Sequence, residues 1–395
     1  MSEGIDAKSF VERQVQAITR AVGDARVLIA VSGGVDSTVS AVLTHRAVGD
    51  NLVCIFIDDN FMRLGEPQRV KDTLSALPLS LPVKVLDERA RFMAALKGLK
   101  DAEEKRKAFR EIFYQVLGEA VKREGCIFLV QGTIKADVVE TAGGIKTQHN
   151  VLEQIGISPM ERFGFRVIEP LVSLYKDQVR EVARLLGAPR EVSERQPFPG
   201  PGLSVRVVGE IRPEKLEELR RATAAVEEAL GSLGADQYFA AIFDEAYEEE
   251  DAEALRPEAA SALGVAAARL KVGVLRERGT GMLNGKRTYG KIVTISVQER
   301  VAEVGWGKLR GLQRALQAAH PDVTRILYQI GERAEGGYLL AIRAVKTRDY
   351  ITAEVAEAPW TLLKKTAKGV LEACPTVSRV YFDVTPKPPA TIEFE

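Results

Sequence analysis

RVLIAVSGGVDSTVSAVLTHRA, residues 26–47, decides how the first half of this chain folds. RVLIAV reads as a strand whose apolar run is continuous rather than alternating, the mark of burial on both faces. Ser32-Gly33-Gly34 breaks the run, and Asp36 to Ala47 reads as a helix. Glycines at such a junction let backbone approach a phosphate closely, and the helix N-terminus supplies N–H donors and a favourable dipole. Ser32, Ser37 and Thr38 add hydroxyls. Taken alone, a Gly-Gly turn before a helix can also be purely structural, the lesser of the two readings. The spacing is neither GxxxxGK[ST] nor GxGxxG, which argues against a Walker kinase and against a dinucleotide dehydrogenase. An aspartate beside phosphate repels it unless a cation intervenes, so Mg²⁺ bridging Asp36 and phosphate oxygens is the economical expectation.

The segments that follow repeat the strand-then-helix pattern. LVCIFID (Leu52–Asp58), VKVLD, CIFLVQG and RVIEPL read as strands. A helix is expected from Asp101 to Arg123, capped by Asp101 with Glu103 and Glu104 in its first turn. YKDQVREVARLLG reads as another, closed by Gly187. Short buried strands separated by helices imply a parallel sheet covered on both faces, with ligands at the carboxyl ends of its strands. RQPFPGPGL (Arg195–Leu203) then packs three prolines and two glycines into nine residues, which ends regular structure. Both an interdomain linker and a shaped loop beside the active site fit that composition.

Several function classes are excluded by composition. Lys+Arg and Asp+Glu both count 55, so no basic surplus points to nucleic acid or an anionic membrane. No apolar run approaches the roughly 20 residues that span a bilayer, and the polar start MSEGIDAKSFVERQ is unlike a secretory signal. Cys54, Cys126 and Cys374 are scattered, and His45, His149 and His320 are the only histidines, which disfavours a zinc enzyme. A cytoplasmic protein is expected.

The second half carries an internal repeat. WGKLRGLQRALQAAHPDVTRI from Trp306 aligns without gaps with WTLLKKTAKGVLEACPTVSRV from Trp360, matching Leu309 to Leu363, Pro321 to Pro375 and Arg325 to Arg379. Each run reads as an amphipathic helix, a proline turn and a strand, with KIVTISV and YLLAIRAV as strands before them. Helices on one face of a small antiparallel sheet would accommodate both.

SGGVDS after a strand resembles the pyrophosphate loop of the N-type ATP pyrophosphatases. DAEEKRKAFREIF, QGTIKADVVETA with IKTQHNV, RQPFPGPGLSVRVVGE and KPPATIEFE narrow the resemblance to the GMP synthetase family. The fold it implies is α/β: a parallel-sheet, adenine-nucleotide α-hydrolase-like ATP pyrophosphatase domain at 1–205, with a lid at about 133–165. An α+β, dimerisation-type C-terminal domain follows at 206–395, with repeat units at about 285–332 and 336–395. The implied reaction has ATP adenylate the 2-oxygen of xanthosine monophosphate (XMP), releasing pyrophosphate, after which ammonia displaces AMP to give GMP. The resemblance assigns ATP to Ser32, Gly33, Gly34, Val35, Asp36, Ser37, Ile57 and Asp58, with Asp36 also holding magnesium. It assigns XMP to Arg106, Lys387, Ile392 and Glu393, and the lid and catalytic set to Asp137, Glu140, Lys146 and His149, with Asn150 beside them.

Four departures from the family pattern stand out. The strand end reads FIDDN, with Asp59 extra; Gln148 and VLEQIGISP replace a second histidine and Gly-Gly-Leu-Pro in the lid. No glutaminase domain fits ahead of the loop, which implies ammonia from solution or from a separate glutaminase subunit. The tandem units imply a monomer through an internal pseudo-dimer, or else a homodimer. Two other readings are a related ATP pyrophosphatase with a different acceptor, and a catalytically silent nucleotide-binding paralogue.

Overall fold

The computed structural model describes residues 5–142, 164–248, 251–283, 285–297, 303–347 and 351–395. The chain forms two compact units, one of Met1–Ala95 with Lys107–Gly200, the other of Leu96–Arg106 with Pro201–Glu395.

The first unit is built on a parallel sheet of β1 (Val27–Ala30), β2 (Leu52–Asp58), β3 (Val83–Asp87), β4 (Phe128–Val130) and β5 (Arg166–Ile168), in the order β3-β2-β1-β4-β5. The apolar runs have the expected cause: Val27, Leu28 and Ile29 are wholly buried in the central strand. The order reverses direction beside β1, whose partners are β2 on one side and β4 on the other, the switch point where open α/β sheets bind ligands. Helices α1 (Ala7–Val22) and α2 (Val35–Val48) pack with the helix Lys176–Leu185 around the core that includes Ile29, Val39, Leu43, Val130 and Val182. CIFLVQG yields a strand of only Phe128–Val130, although Gln131 N–H still pairs with Ile168 C=O at 2.9 Å.

The helix Ala102–Arg123 begins as its cap requires, with the Asp101 carboxylate accepting from Glu103 N–H at 2.9 Å and Glu104 N–H at 3.0 Å.

The second unit corrects the expectation of a small antiparallel sheet. Its strands are β6 (Gln237–Asp244), β7 (Tyr247–Glu248), β8 (Leu270–Leu283), β9 (Lys286–Val297), β10 (Val323–Glu332), β11 (Tyr338–Lys346), β12 (Glu354–Val355) and β13 (Val377–Asp383). Seven of them run β12-β11-β13-β10-β9-β8-β7, with β6 paired to β11, in one mixed eight-stranded sheet. A strand-helix-strand crossover returns the chain in the direction it left, so β9 and β10 are parallel, as are β11 and β13. The seam between the two crossovers, β10 against β13, is antiparallel. That seam is symmetric: Tyr328 pairs with Phe382, flanked by Leu327 with Asp383 and Gln329 with Tyr381. The Trp306 indole N–H donates to Ala358 C=O at 3.1 Å, and that of Trp360 to Val304 C=O at 2.9 Å. Trp306 meets Phe382 edge-on while Trp360 meets Tyr328. The offset that takes Trp306 to Trp360 also takes Val304 to Ala358 and Tyr328 to Phe382, so each crossover makes the other's contacts.

No helix among the described residues is long and apolar enough to cross a membrane.

Candidate active site

Val31 N–H pairs with Ile55 C=O at 2.8 Å, after which the backbone leaves the sheet and turns through Ser32–Gly34 into α2. Gly33 has φ +75°, and a Cβ there would lie 2.5 Å from Val70 Cγ2, so both backbone and space demand glycine. Gly34 C=O accepts from Ser37 Oγ at 3.1 Å and Thr38 Oγ1 at 2.8 Å, while Ser32 N–H donates to Ser37 Oγ at 3.2 Å. Gly132, just past β4, backs the start of α2: a Cβ on it would sit 3.0 Å from Ser37 N. The hydroxyls therefore hold the loop's own backbone, and the start of α2 is set by a glycine from another strand.

Asp36 lies in the first turn of α2. Its Oδ2 accepts from Lys176 Nζ at 2.5 Å, while its Oδ1 is buried without a protein partner. A cation fits that oxygen. Among the described residues no cluster of three or more His, Cys, Asp or Glu side chains forms a metal cage, and magnesium commonly takes one or two carboxylates with substrate phosphates instead.

At the end of β2 the two adjacent acids face different surroundings. Ile57 is buried; Asp58 accepts from Asn60 N–H at 3.2 Å and lies 3.6 Å from Arg89 Nε. Asp59 is turned inward, accepts from Phe61 N–H at 2.8 Å, and is pushed up to about 7 by burial, with Asp58 and Glu66 adding repulsion.

Asp137 reaches back from the first turn of the helix Lys135–Ala142 to accept from Ile134 N–H at 2.9 Å, half of a capping box. Glu140 lies on the same helix. Lys146, His149 and Asn150 fall outside the described residues.

Arg106, Lys387, Ile392 and Glu393 all belong to the second unit. Arg106 Nη1 donates to Glu103 Oε1 at 2.7 Å and lies 3.0 Å from Tyr289 Oη. Arg287 Nη1 reaches the same Glu103 oxygen at 3.3 Å, and the Tyr289 hydroxyl donates to it as well. Two guanidiniums and a phenol converging on one carboxylate form a ready oxyanion cluster. Tyr289 faces Thr280 across the β8–β9 hairpin, and Thr280 N–H and Oγ1 hold Phe394 C=O at 2.8 and 2.7 Å. Lys387 joins Ala353 in an antiparallel bridge, and Ile392 packs on the core around Phe394. Glu393 is gripped by the fork of the buried Arg206, Nε and Nη2 each at 2.9 Å, and by Gln237 at 3.2 Å. Lys105, beside Arg106 but buried, spends its protons on Val207 C=O, Gly209 C=O and the Glu395 carboxylate.

Lys176, Arg206, Arg287 and Tyr289 are the residues that sequence reasoning missed. Lys176 alone left a signal, since it opens the first helix after β5 on the ligand side of the sheet. The others meet their partners only through tertiary folding.

Comparison with known proteins adds to this geometry. The family described as "PP-loop domain" matches residues 7–189, and "GMP synthase C terminal domain" matches residues 330–394. One of the subunits of GMP synthase (glutamine-hydrolyzing) from Sulfurisphaera tokodaii is 43% identical over 391 residues, 99% of each chain. The protein of the same name from Methanopyrus kandleri is 39% identical over 390 residues, again 99% of each. Among solved structures, NMN synthetase from Francisella tularensis aligns with a TM-score of 0.40 at 16% identity, covering 51% of this chain and 79% of that one. With the glycine loop closing β1 and KPPATIEFE folded into the second unit, and at such identity over nearly its full length to these synthase subunits, the chain belongs to the GMP synthase family.

Proposed function

We propose that this chain converts XMP to GMP at the expense of ATP. The XMP 2-oxygen attacks the α-phosphorus, pyrophosphate leaves, and ammonia then attacks C2 and expels AMP. What carries the reading is one chain holding both the aspartate-bearing glycine loop at the end of β1 and the KPPATIEFE segment with Glu393 ion-paired in the second unit. The loop's N–H groups and the α2 N-terminus stabilise charge as it gathers on the departing pyrophosphate. Ser32 to Ser37 hold that group, and Ile57 and Asp58 flank the adenosine. Magnesium, when bound, neutralises phosphate charge, and the unpartnered Asp36 Oδ1 would hold it. Arg106 takes the XMP phosphate with Lys387, while Ile392 and Glu393 face the purine or ribose. Lys146 stabilises charge at the α-phosphate, and Asp137, Glu140 and His149 belong to a lid over about 133–165 that excludes water from the adenylated purine.

The ATP-cleaving domain spans 1–205 and the C-terminal domain 206–395, with like units at about 285–332 and 336–395. Two such units in one chain favour a monomer through their mutual packing over a homodimer. The relatives' designation as one subunit of a glutamine-hydrolyzing enzyme supports a separate glutaminase as the ammonia source. Three free cysteines suit a reducing, cytoplasmic compartment.

The test supplies ATP, Mg²⁺, XMP and ammonium and follows GMP and pyrophosphate. Wild-type protein forms both in equal amounts, and Asp36→Ala abolishes both. Pyrophosphate formed only with another acceptor would select a different member of the superfamily. Nucleotide binding without turnover would mark a silent paralogue.

A further inference from the structure

We propose that Arg195, at the head of the proline-rich segment, is a positioning residue for the pyrophosphate loop: held by the buried Glu66 carboxylate, its guanidinium fixes the Gly33–Gly34 peptide so that Gly34 N–H is presented to phosphate. The proposal rests on reading Ser32–Ser37 as the pyrophosphate site.

A peptide between two glycines has no side chain on either flank to resist rotation, so its carbonyl and its N–H can exchange sides at low cost. Turned inward, the carbonyl would repel phosphate. The following peptide is already set, because Gly34 C=O accepts from Thr38 N–H at 3.1 Å and from two hydroxyls at the start of α2. The Gly33–Gly34 peptide lies before the helix and lacks that restraint. Its carbonyl instead accepts from Arg195 Nη1 at 3.4 Å. In a planar trans peptide the C=O and the next N–H point in opposite directions, so holding one aims the other. Gly34 N–H accordingly donates to Ser32 Oγ at 3.4 Å, a long bond that a phosphate oxygen can replace.

Arg195 is itself held. Its Nη2 pairs with Glu66 Oε1, and Glu66 is 1% exposed. The second oxygen of Glu66 accepts from Arg63 N–H at 2.9 Å. The Arg63 guanidinium lies 4.1 Å over the ring of Phe198, three residues beyond Arg195. Burial alone would raise the Glu66 carboxyl, but the Arg195 and Arg63 guanidiniums overcome this and keep it below the usual carboxylate value. Val70, from the same helix as Glu66 (Glu66–Ser75), fills the space beside Gly33. That helix and RQPF thus grip one glycine together, which favours the shaped-loop reading of RQPFPGPGL over a plain linker for its first residues.

The experiment titrates magnesium pyrophosphate, and separately XMP, into wild-type protein, Arg195→Met, Arg195→Lys and Glu66→Gln by calorimetry, with melting temperatures recorded. Losing one charge-assisted restraint should weaken pyrophosphate binding in Arg195→Met by about ten- to hundredfold. Arg195→Lys keeps the charge without the fork and should fall between, as should Glu66→Gln, while XMP binding is unchanged in all three. If Arg195→Met does not fold, Arg195→Lys carries the same comparison. Pyrophosphate affinity equal to wild type in Arg195→Met and Arg195→Lys, or XMP affinity falling in step with it, overturns the proposal. Wild-type protein that fails to bind pyrophosphate overturns the assignment of the loop and the positioning role with it.

Discussion

Glu103 occupies the place where an incoming phosphate would be most welcome. Its carboxylate neutralises Arg106 and Arg287 and accepts from Tyr289, so on the proposed assignment of Arg106 to the XMP phosphate the substrate has to displace it. Glu103→Gln removes the competing charge and leaves both arginines, and the KM for XMP should fall by about three- to tenfold in steady-state assays. Asp59 is the opposite case, a carboxyl whose burial is uncompensated. Because it is pushed up to about 7 when folded, the native state binds more protons than the unfolded chain from the ordinary aspartate range up to that value. Its effect on stability therefore worsens as pH rises through that window and is level above it. Asp59→Asn keeps an oxygen for Phe61 N–H and removes the charge. Its stabilising effect in chemical denaturation should be larger at about pH 8 than at about pH 5, by about 2 kcal/mol.

Elements of the first unit were legible because parallel strands buried on both faces leave unbroken apolar runs. LVCIFID, buried from Leu52 to Ile57, became β2 with the boundaries read from sequence; VKVLD became β3 with its boundaries too, although this edge strand buries only Val83. Asp101 and Gly187 marked helix ends for reasons local to the chain, a side-chain cap and a residue at φ +83°. The pairings of Lys176 with Asp36 and of Arg195 with Glu66 were hidden, since distant segments meet only after the sheet has formed. β6, β7 and most of β8 left no pattern that sets them apart, and KPPATIEFE reads as a loose tail unless Phe394 is known to be wholly buried. In the second unit the two crossovers should respond alike to equivalent changes. Trp306→Phe and Trp360→Phe keep a ring and remove an indole N–H from a carbonyl, and each should cost about 1 kcal/mol in denaturant unfolding.

Across the second unit, stability converges on Asp383, which is fully buried and accepts from Arg325 Nη1 at 2.9 Å and Arg343 Nη1 at 2.7 Å. It ties β10, β11 and β13 together, and the same arginines hold Thr391 and Glu393. Asp383→Asn leaves two buried guanidiniums without a counter-charge and should destabilise the protein by about 3–5 kcal/mol, read as a large drop in melting temperature. The symmetric seam through Tyr328 and Phe382 bears on how this cluster could arise. Where two identical chains meet across a twofold axis, every substitution is made twice and every pocket exists in two copies. Two like crossovers written in tandem escape that constraint. The position equivalent to Asp383 is Gln329, and the strand registers make Ser296 the one equivalent to Arg343. One half is therefore free to carry a charged anchor for the C-terminal segment while the other keeps uncharged side chains at the same places, a division of labour closed to a symmetric pair.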